Sequence, residues 1–267
     1  KYIIIVGKRL ISCAMNGVCI MKTCSCNSLK ELRDLPEAMV LAYMAQSRIN
    51  CTFCIDNYYL LEEPSAAIIH GRHHDVEIMA GSCANEGATF GYGYRNTMDG
   101  FRGAVASFFP GVDEIAWKLY DIHSDEEAAR SDADVMADGA VFGTHYWAKV
   151  HNKLGRKPLY VYYFCQKLPD GEENPSEEGS FHSGDLWYIH GTLDRSWRAF
   201  READYRLSDL EMRYFTNFAK NADPNGGDLP EWTPFTSEKP CTMLLCDSPR
   251  MDAMEKNVGM MTVLQVE

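Results

Sequence analysis

Six consecutive residues, Leu159-Tyr160-Val161-Tyr162-Tyr163-Phe164, carry almost nothing polar. A strand with one wet face alternates apolar and polar side chains, whereas a parallel strand covered on both faces by helices reads as an unbroken apolar run. The stretch before it predicts a helix. Ser124-Asp125-Glu126-Glu127 is a capping box, in which the serine hydroxyl and the glutamate three positions on satisfy backbone donors at the helix start. That helix is expected to run, with interruptions near Gly139 and Gly143, to Lys153 and to stop at Gly155. A long helix followed by a doubly covered strand predicts an α/β fold.

An acidic loop at residues 170–178 follows the strand, and then comes Gly179-Ser180-Phe181-His182-Ser183-Gly184-Asp185-Leu186-Trp187-Tyr188-Ile189-His190-Gly191. His182 thus stands among small residues beyond a strand end. Imidazole takes and returns a proton near neutrality, so a histidine so placed is a candidate general base. A lone loop histidine is more often merely solvated, and a second stretch shifts that balance. Val76-Glu77-Ile78-Met79-Ala80-Gly81 predicts a short buried strand, with Ser82-Cys83-Ala84-Asn85-Glu86-Gly87 as the turn after it. A strand-end carboxylate followed far downstream by a strand-end histidine is the later half of the order nucleophile, acid, histidine found in α/β-hydrolases. Glu86 would accept the second N–H of the imidazole and hold its tautomer.

Further segments carry a resemblance. The run Leu154-Gly155-Arg156-Lys157-Pro158 into the strand, the loop Gly179-Ser180-Phe181-His182-Ser183-Gly184-Asp185, the segment Arg213-Tyr214-Phe215-Thr216-Asn217-Phe218-Ala219-Lys220 and Asp223-Pro224-Asn225-Gly226 together resemble the C-terminal part of a type-B carboxylesterase, the cholinesterase-like branch of the α/β-hydrolases. The resemblance spans about residues 24–247 and places Glu86 at the triad acid and His182 at the triad base. It implies a partial, mostly parallel sheet with covering helices, a serine-hydrolase mechanism on a small-molecule ester, and no cofactor. Asp185 falls where relatives carry an acidic residue near the triad, with Ser183 beside it. The same carboxylate at a helix start also complements the helix dipole, and both readings stand. His190 departs from the aromatic residue expected before Gly191.

The nucleophile of that family sits in a Gly-x-Ser-x-Gly elbow, and no serine here has glycines at both positions: Ser180 follows Glu178 by two residues and Ser183 follows Phe181. The glycine-rich oxyanion loop is missing too. The expectation is therefore a carboxylic-ester hydrolase portion bearing acid and base but not nucleophile, inactive alone, with a non-catalytic hydrolase-like binding module as the alternative. Lacking the strand that bears the nucleophile, the 76–81 strand should expose an edge, and the expected partners are an N-terminal half or a second copy across that edge.

Other classes are disfavoured. A net charge of −12 opposes nucleic acid and anionic membrane as partners, and no apolar run approaches bilayer length. Cys24 with Cys26, and Cys51 with Cys54, could share a zinc ion as paired thiolates, but the first pair has the wrong spacing for a zinc knuckle, and ten scattered cysteines fit reduced, mostly buried thiols in a cytoplasmic setting better, with secretion left open. His70, His73 and His74 read as a solvated loop ahead of a metal site.

In order along the chain, residues 1–22 stay unassigned apart from a short strand at 3–6, and residues 23–267 form the carboxylesterase-like portion. Leu29, Leu32 and Leu35 before Pro36, then 38–44, predict two short helices. Asn57 suits a left-handed position after Asp56. Residues 101–120 predict helices broken at Pro110-Gly111. Ser208-Asp209-Leu210-Glu211 reads as a second capping box, with Tyr214, Phe215 and Phe218 on one side of the helix and Pro224 to Gly226 as its stop. An edge strand is expected at 242–245, and nothing is legible in the last fifteen or so residues.

Overall fold

A computed structural model describes residues 8–47, 54–89, 97–109, 113–171 and 179–254. The described residues divide into two compact units, one within residues 8–72 and one within residues 73–254.

The first unit holds β1 (Lys8–Arg9), α1 (Leu10–Thr23), α2 (Leu29–Arg33), α3 (Glu37–Ser47), β2 (Cys54–Ile55) and α4 (Pro64–Ile69), with β1 and β2 paired in parallel. The two short helices predicted around Pro36 are α2 and α3. Ser28 caps α2 by accepting from the Glu31 amide at 3.2 Å. Asn57 is left-handed at φ 61°, and Asp56 Oδ1 accepts the amides of Tyr58, Tyr59 and Leu60 at 2.9–3.1 Å. The unassigned N-terminal segment is largely α1, whose mixed apolar face shows no clear period. The strand expected at 3–6 lies outside the described residues.

The second unit carries a four-stranded sheet ordered β3 (Ile78–Cys83), β4 (Leu159–Phe164), β5 (Thr242–Leu245), β6 (Arg250–Asp252). The first three strands are parallel and β6 is antiparallel, so the sheet is partial and mostly parallel. Its helices are α5 (Met98–Phe108), α6 (Asp113–Tyr120), α7 (Asp125–Lys153), α8 (Leu186–Ile189) and α9 (Glu202–Asn221).

β4 is covered on both faces, as its composition requires. Successive strand residues point to opposite sides. Leu159 and Val161 join Ile78, Ala148 of α7 and Phe235 on one face. Tyr160 and Phe164 join Tyr188, Leu207, Tyr214, Trp232 and Met243 on the other. Trp232 is fully buried, edge-on to Tyr214 at 5.2 Å, and Asn225 clamps its backbone with Trp232 N–H to Asn225 Oδ1 at 2.7 Å and Asn225 Nδ2 to Trp232 O at 2.9 Å.

Several boundaries move. β3 begins at Ile78 rather than Val76, which is exposed. α7 runs unbroken past Gly139 and Gly143, because a helix packed along β3 and β4 tolerates glycines that an isolated one would not. Its N-cap is Ser124, accepting from the Glu127 amide at 3.2 Å, while Glu127 Oε2 accepts from the His123 amide at 2.7 Å. β5 is not an edge strand: it lies between β4 and β6, and β6 supplies a signal the C-terminal sequence hides.

The second capping box is also corrected. Ser208 lies inside α9, which opens instead at Arg201, whose amide donates to Asp204 Oδ2 at 2.9 Å. Ser208 Oγ donates to Tyr188 O at 2.8 Å, and Glu211 is fully buried. The tetrapeptide pattern marks a helix start only where no stronger cap lies upstream, and Asp204 is that cap. α9 ends earlier than Pro224, at Ala222 in the left-handed region with φ 59°.

Candidate active site

β3 and β4 are adjacent and parallel, so their carboxyl ends emerge side by side. The turn after β3 is anchored by the Ala84 amide, which donates to Phe164 O at 2.8 Å. The loop after β4 folds back so that Ser180 Oγ donates to Gln166 O at 2.8 Å. The two loops are then stitched together. Asn85 N–H donates to Ser180 O at 3.0 Å, and Ser180 N–H donates to Asn85 Oδ1 at 2.9 Å. Gly179 makes this approach possible: its φ is +64°, and a Cβ there would lie 2.4 Å from Asn85 Oδ1.

The stitch brings Glu86 and His182 together, 96 positions apart, with His182 Nδ1 at 2.5 Å from Glu86 Oε2. The second oxygen, Oε1, accepts the Cys83 amide at 2.8 Å, so both carboxylate oxygens are engaged. The glutamate side chain is 11% exposed and the imidazole 50%, which seats the acid behind and the ring in front. A carboxylate holding Nδ1–H turns Nε2 into the proton-exchanging nitrogen.

Behind the pair lies a buried acidic layer. Asp185, at the start of α8, makes no side-chain capping bond. Its Oδ2 instead accepts a long bond from Tyr162 Oη at 3.4 Å. Burial raises its pKa, the Glu86 charge adding to the rise, while hydrogen bonds from Cys83 and Tyr162 pull the other way. Glu211 of α9 lies deeper, with both oxygens buried and unpartnered. Burial first, and the Asp185 charge second, push it well above the usual carboxylate range. Ser183, also singled out from the sequence, is exposed and left-handed at φ 68°, and so shapes the turn after His182. His190 is the exposed residue that ends α8.

Asn85 and Glu211 are the residues sequence reasoning passed over. Asn85 stood beside Glu86 without a role, since only the folded loop reveals its partner. Glu211 had a signal: with Leu207 and Tyr214 it falls at i, i+4 and i+7, the spacing of a buried stripe.

The metal readings find no support in geometry. Among the described residues no group of three His, Cys, Asp or Glu side chains is arranged to hold an ion. Cys26 Sγ donates to Cys24 O at 3.7 Å, and Cys51 lies outside the described residues. His73 is not a simple solvated loop residue: its Nε2 lies 3.1 Å from Nδ1 of His151, whose Nε2 donates to Lys157 O at 2.8 Å. Among the described residues no helix is long and apolar enough to cross a membrane.

A mostly parallel sheet under helices, with an acid turn and a histidine loop meeting at the carboxyl ends of neighbouring strands, is an α/β-hydrolase architecture. The solved structure titled thermophylic PNB esterase has the same fold, with a TM-score of 0.77 at 19% identity over 97% of this chain and 55% of that one. The family model described as the carboxylesterase family matches residues 8–261, and the chain belongs to that family. It is 28% identical over 131 residues to carboxylesterase 4A of Bos taurus, covering 49% of this chain and 24% of the relative. It is 27% identical over 215 residues to neuroligin-3 of Mus musculus, covering 69% of this chain and 25% of the relative. The chain thus spans about a quarter of the length of these relatives and about half of the structural neighbour.

Proposed function

We propose that this chain supplies the acid and base of a serine-type carboxylic-ester hydrolase whose nucleophile and oxyanion donors come from polypeptide outside these 267 residues. The observation that carries this reading is the 2.5 Å contact between His182 Nδ1 and Glu86 Oε2 at the ends of β3 and β4. In the assembled site a serine hydroxyl attacks the ester carbonyl while His182 Nε2 takes its proton, and the imidazolium then protonates the leaving alcohol. Glu86 holds the ring throughout and stabilises its cationic form. Backbone amides of the complementing segment stabilise the oxyanion. The substrate is a small-molecule carboxylic ester. β3 ends the described sheet with one side unpaired by any described strand, and that edge is where an N-terminal half, or failing that a second copy, would dock.

The purified chain should not hydrolyse a p-nitrophenyl ester, because an imidazole without its nucleophile activates only water. Coding sequence immediately upstream should carry an in-frame Gly-x-Ser-x-Gly elbow. Co-expressing that segment should restore turnover, and His182→Ala should remove it. Robust turnover by the 267-residue chain alone, lost on His182→Ala, would overturn the complementation reading.

A second reading, a non-catalytic hydrolase-like binding module, is favoured by one observation: no serine in the chain has glycine two positions to either side. An upstream start codon with no elbow, and no turnover after co-expression, would select it.

A further inference from the structure

The parallel ladder between β4 and β5 ends with Phe164 facing Leu245, and the next residue on each strand is a cysteine, Cys165 and Cys246. The ladder continues one step, since the Cys165 amide donates to Leu245 O at 3.0 Å. Residues opposite one another in a parallel pair project to the same face, so the two thiols emerge side by side. Neighbouring strands run about 4.8 Å apart, inside the Cα separation of roughly 4.4–6.8 Å that a disulfide spans. Both cysteines are free and only partly buried. Cys165 lines a cavity of about 350 Å³ whose wall also carries Lys167, Arg201, Asp204 and Asp247, which gives a small molecule a route to the strand ends. Cys246 is approached by Arg250, whose Nη1 donates to its Sγ at 3.7 Å.

We infer that Cys165 and Cys246 form a redox-active dithiol, which low-molecular-weight disulfides such as oxidised glutathione convert into an intramolecular disulfide tying β4 to β5. In the first step the Cys246 thiolate attacks one sulfur of the small disulfide, breaking its S–S bond. One small thiolate leaves and takes up the proton Cys246 lost. In the second step the Cys165 thiolate attacks Cys246 Sγ of the mixed disulfide and expels the second small thiol, which takes up the Cys165 proton. Two protein thiols are oxidised to one disulfide, and one small disulfide is reduced to two thiols. Burial, with the nearby Cys246 adding, pushes the Cys165 thiol up to about 12. Cys246, whose Sγ accepts from the Arg250 guanidinium, reacts first, and closure by Cys165 is the slow step. The link would brace β4 where the segment leading to His182 departs. Dithiols of this kind in reducing compartments act as sensors more often than as structural staples.

The test is a time course of the native chain with oxidised glutathione at mildly alkaline pH, quenched with iodoacetamide, digested and read by mass spectrometry. A glutathione adduct on Cys246 should precede a Cys165–Cys246 cross-linked peptide about 2 Da below the sum of its reduced halves. Cys165→Ser should arrest the reaction at the Cys246 adduct, and Cys246→Ser should leave Cys165 open to iodoacetamide. Pairing that occurs only in urea, or adducts on both cysteines without a cross-link in the folded chain, overturns the inference. So does alkylation of both under conditions that oxidise Cys24 and Cys26. The decisive reading is on the unsubstituted protein, so a variant that failed to fold would not blunt it.

Discussion

Two buried glutamates of the same unit meet opposite fates. Glu86 spends both oxygens, one on the Cys83 amide and one on His182, and keeps a sliver of exposure. Glu211 has neither partner nor exposure. Burial penalises the charged form of Glu211, and hydrogen bonds to a charged form compensate only where they exist. A buried carboxylate becomes a charge-holding partner for an imidazole when the backbone around it provides donors. Without them it stays protonated and behaves as a polar filler in an aromatic core.

The sharpest way to break this contrast is to neutralise Glu86. In the complemented enzyme, Glu86→Gln should lower kcat by about 10⁴-fold, by analogy with the loss of the orienting carboxylate in serine hydrolases. In the chain alone it should abolish a far-downfield Nδ1–H resonance of His182 in proton NMR. An unchanged resonance would mean that the pair is not formed in solution.

Glu211→Gln should act in the opposite sense, on stability. Since the folded-state pKa of Glu211 is raised, the folded protein holds a proton that the unfolded chain releases above the ordinary carboxylate value. The stability it contributes is complete below that value and is lost as pH rises toward the folded pKa. The substitution should therefore do little near pH 4, and it should stabilise progressively as pH rises above the ordinary carboxylate range, by up to about 1.4 kcal/mol per pH unit. Urea titrations at three pH values would measure this, and parallel stability curves for the two proteins would refute a neutral Glu211.

Asn85→Ala tests the frame that holds Glu86 and His182 together. It leaves the Ser180 amide without its acceptor and should cost about 1–2 kcal/mol, with exchange broadening of the His182 ring signals by NMR. Ser208→Ala removes a single bond to Tyr188 O beside Glu211 and should cost about 1 kcal/mol, leaving those signals unchanged. Equal broadening in both variants would mean the two regions are not separable.

Much of the frame is legible in the sequence. The apolar run of β4 announced a strand covered on both faces, because a continuous apolar surface has no other stable place. Ser124 announced the start of α7, since capping is local chemistry. Glu86 and His182 were named from their turns, and the resemblance to carboxylesterases rested on segments that keep their order along the chain. The misreadings share a cause. Ser208 with Glu211 matched a four-residue signature whose meaning depends on what lies upstream, and Asp204 had already taken the cap. β5 looked like an edge because its neighbour β6 is three residues long and has almost no pattern of its own.

The sequence by itself determined the class of fold, the order of acid and base, and the want of a glycine-flanked serine, because periodicity, capping and motif order are properties of neighbouring residues. Tertiary structure alone decided that Asn85 would lace two loops together, that Glu211 would lie unpaired beneath Asp185, and that Cys165 would stand beside Cys246. Each of these depends on strands brought into register across long stretches of chain, and no local pattern encodes which side chains that register sets face to face.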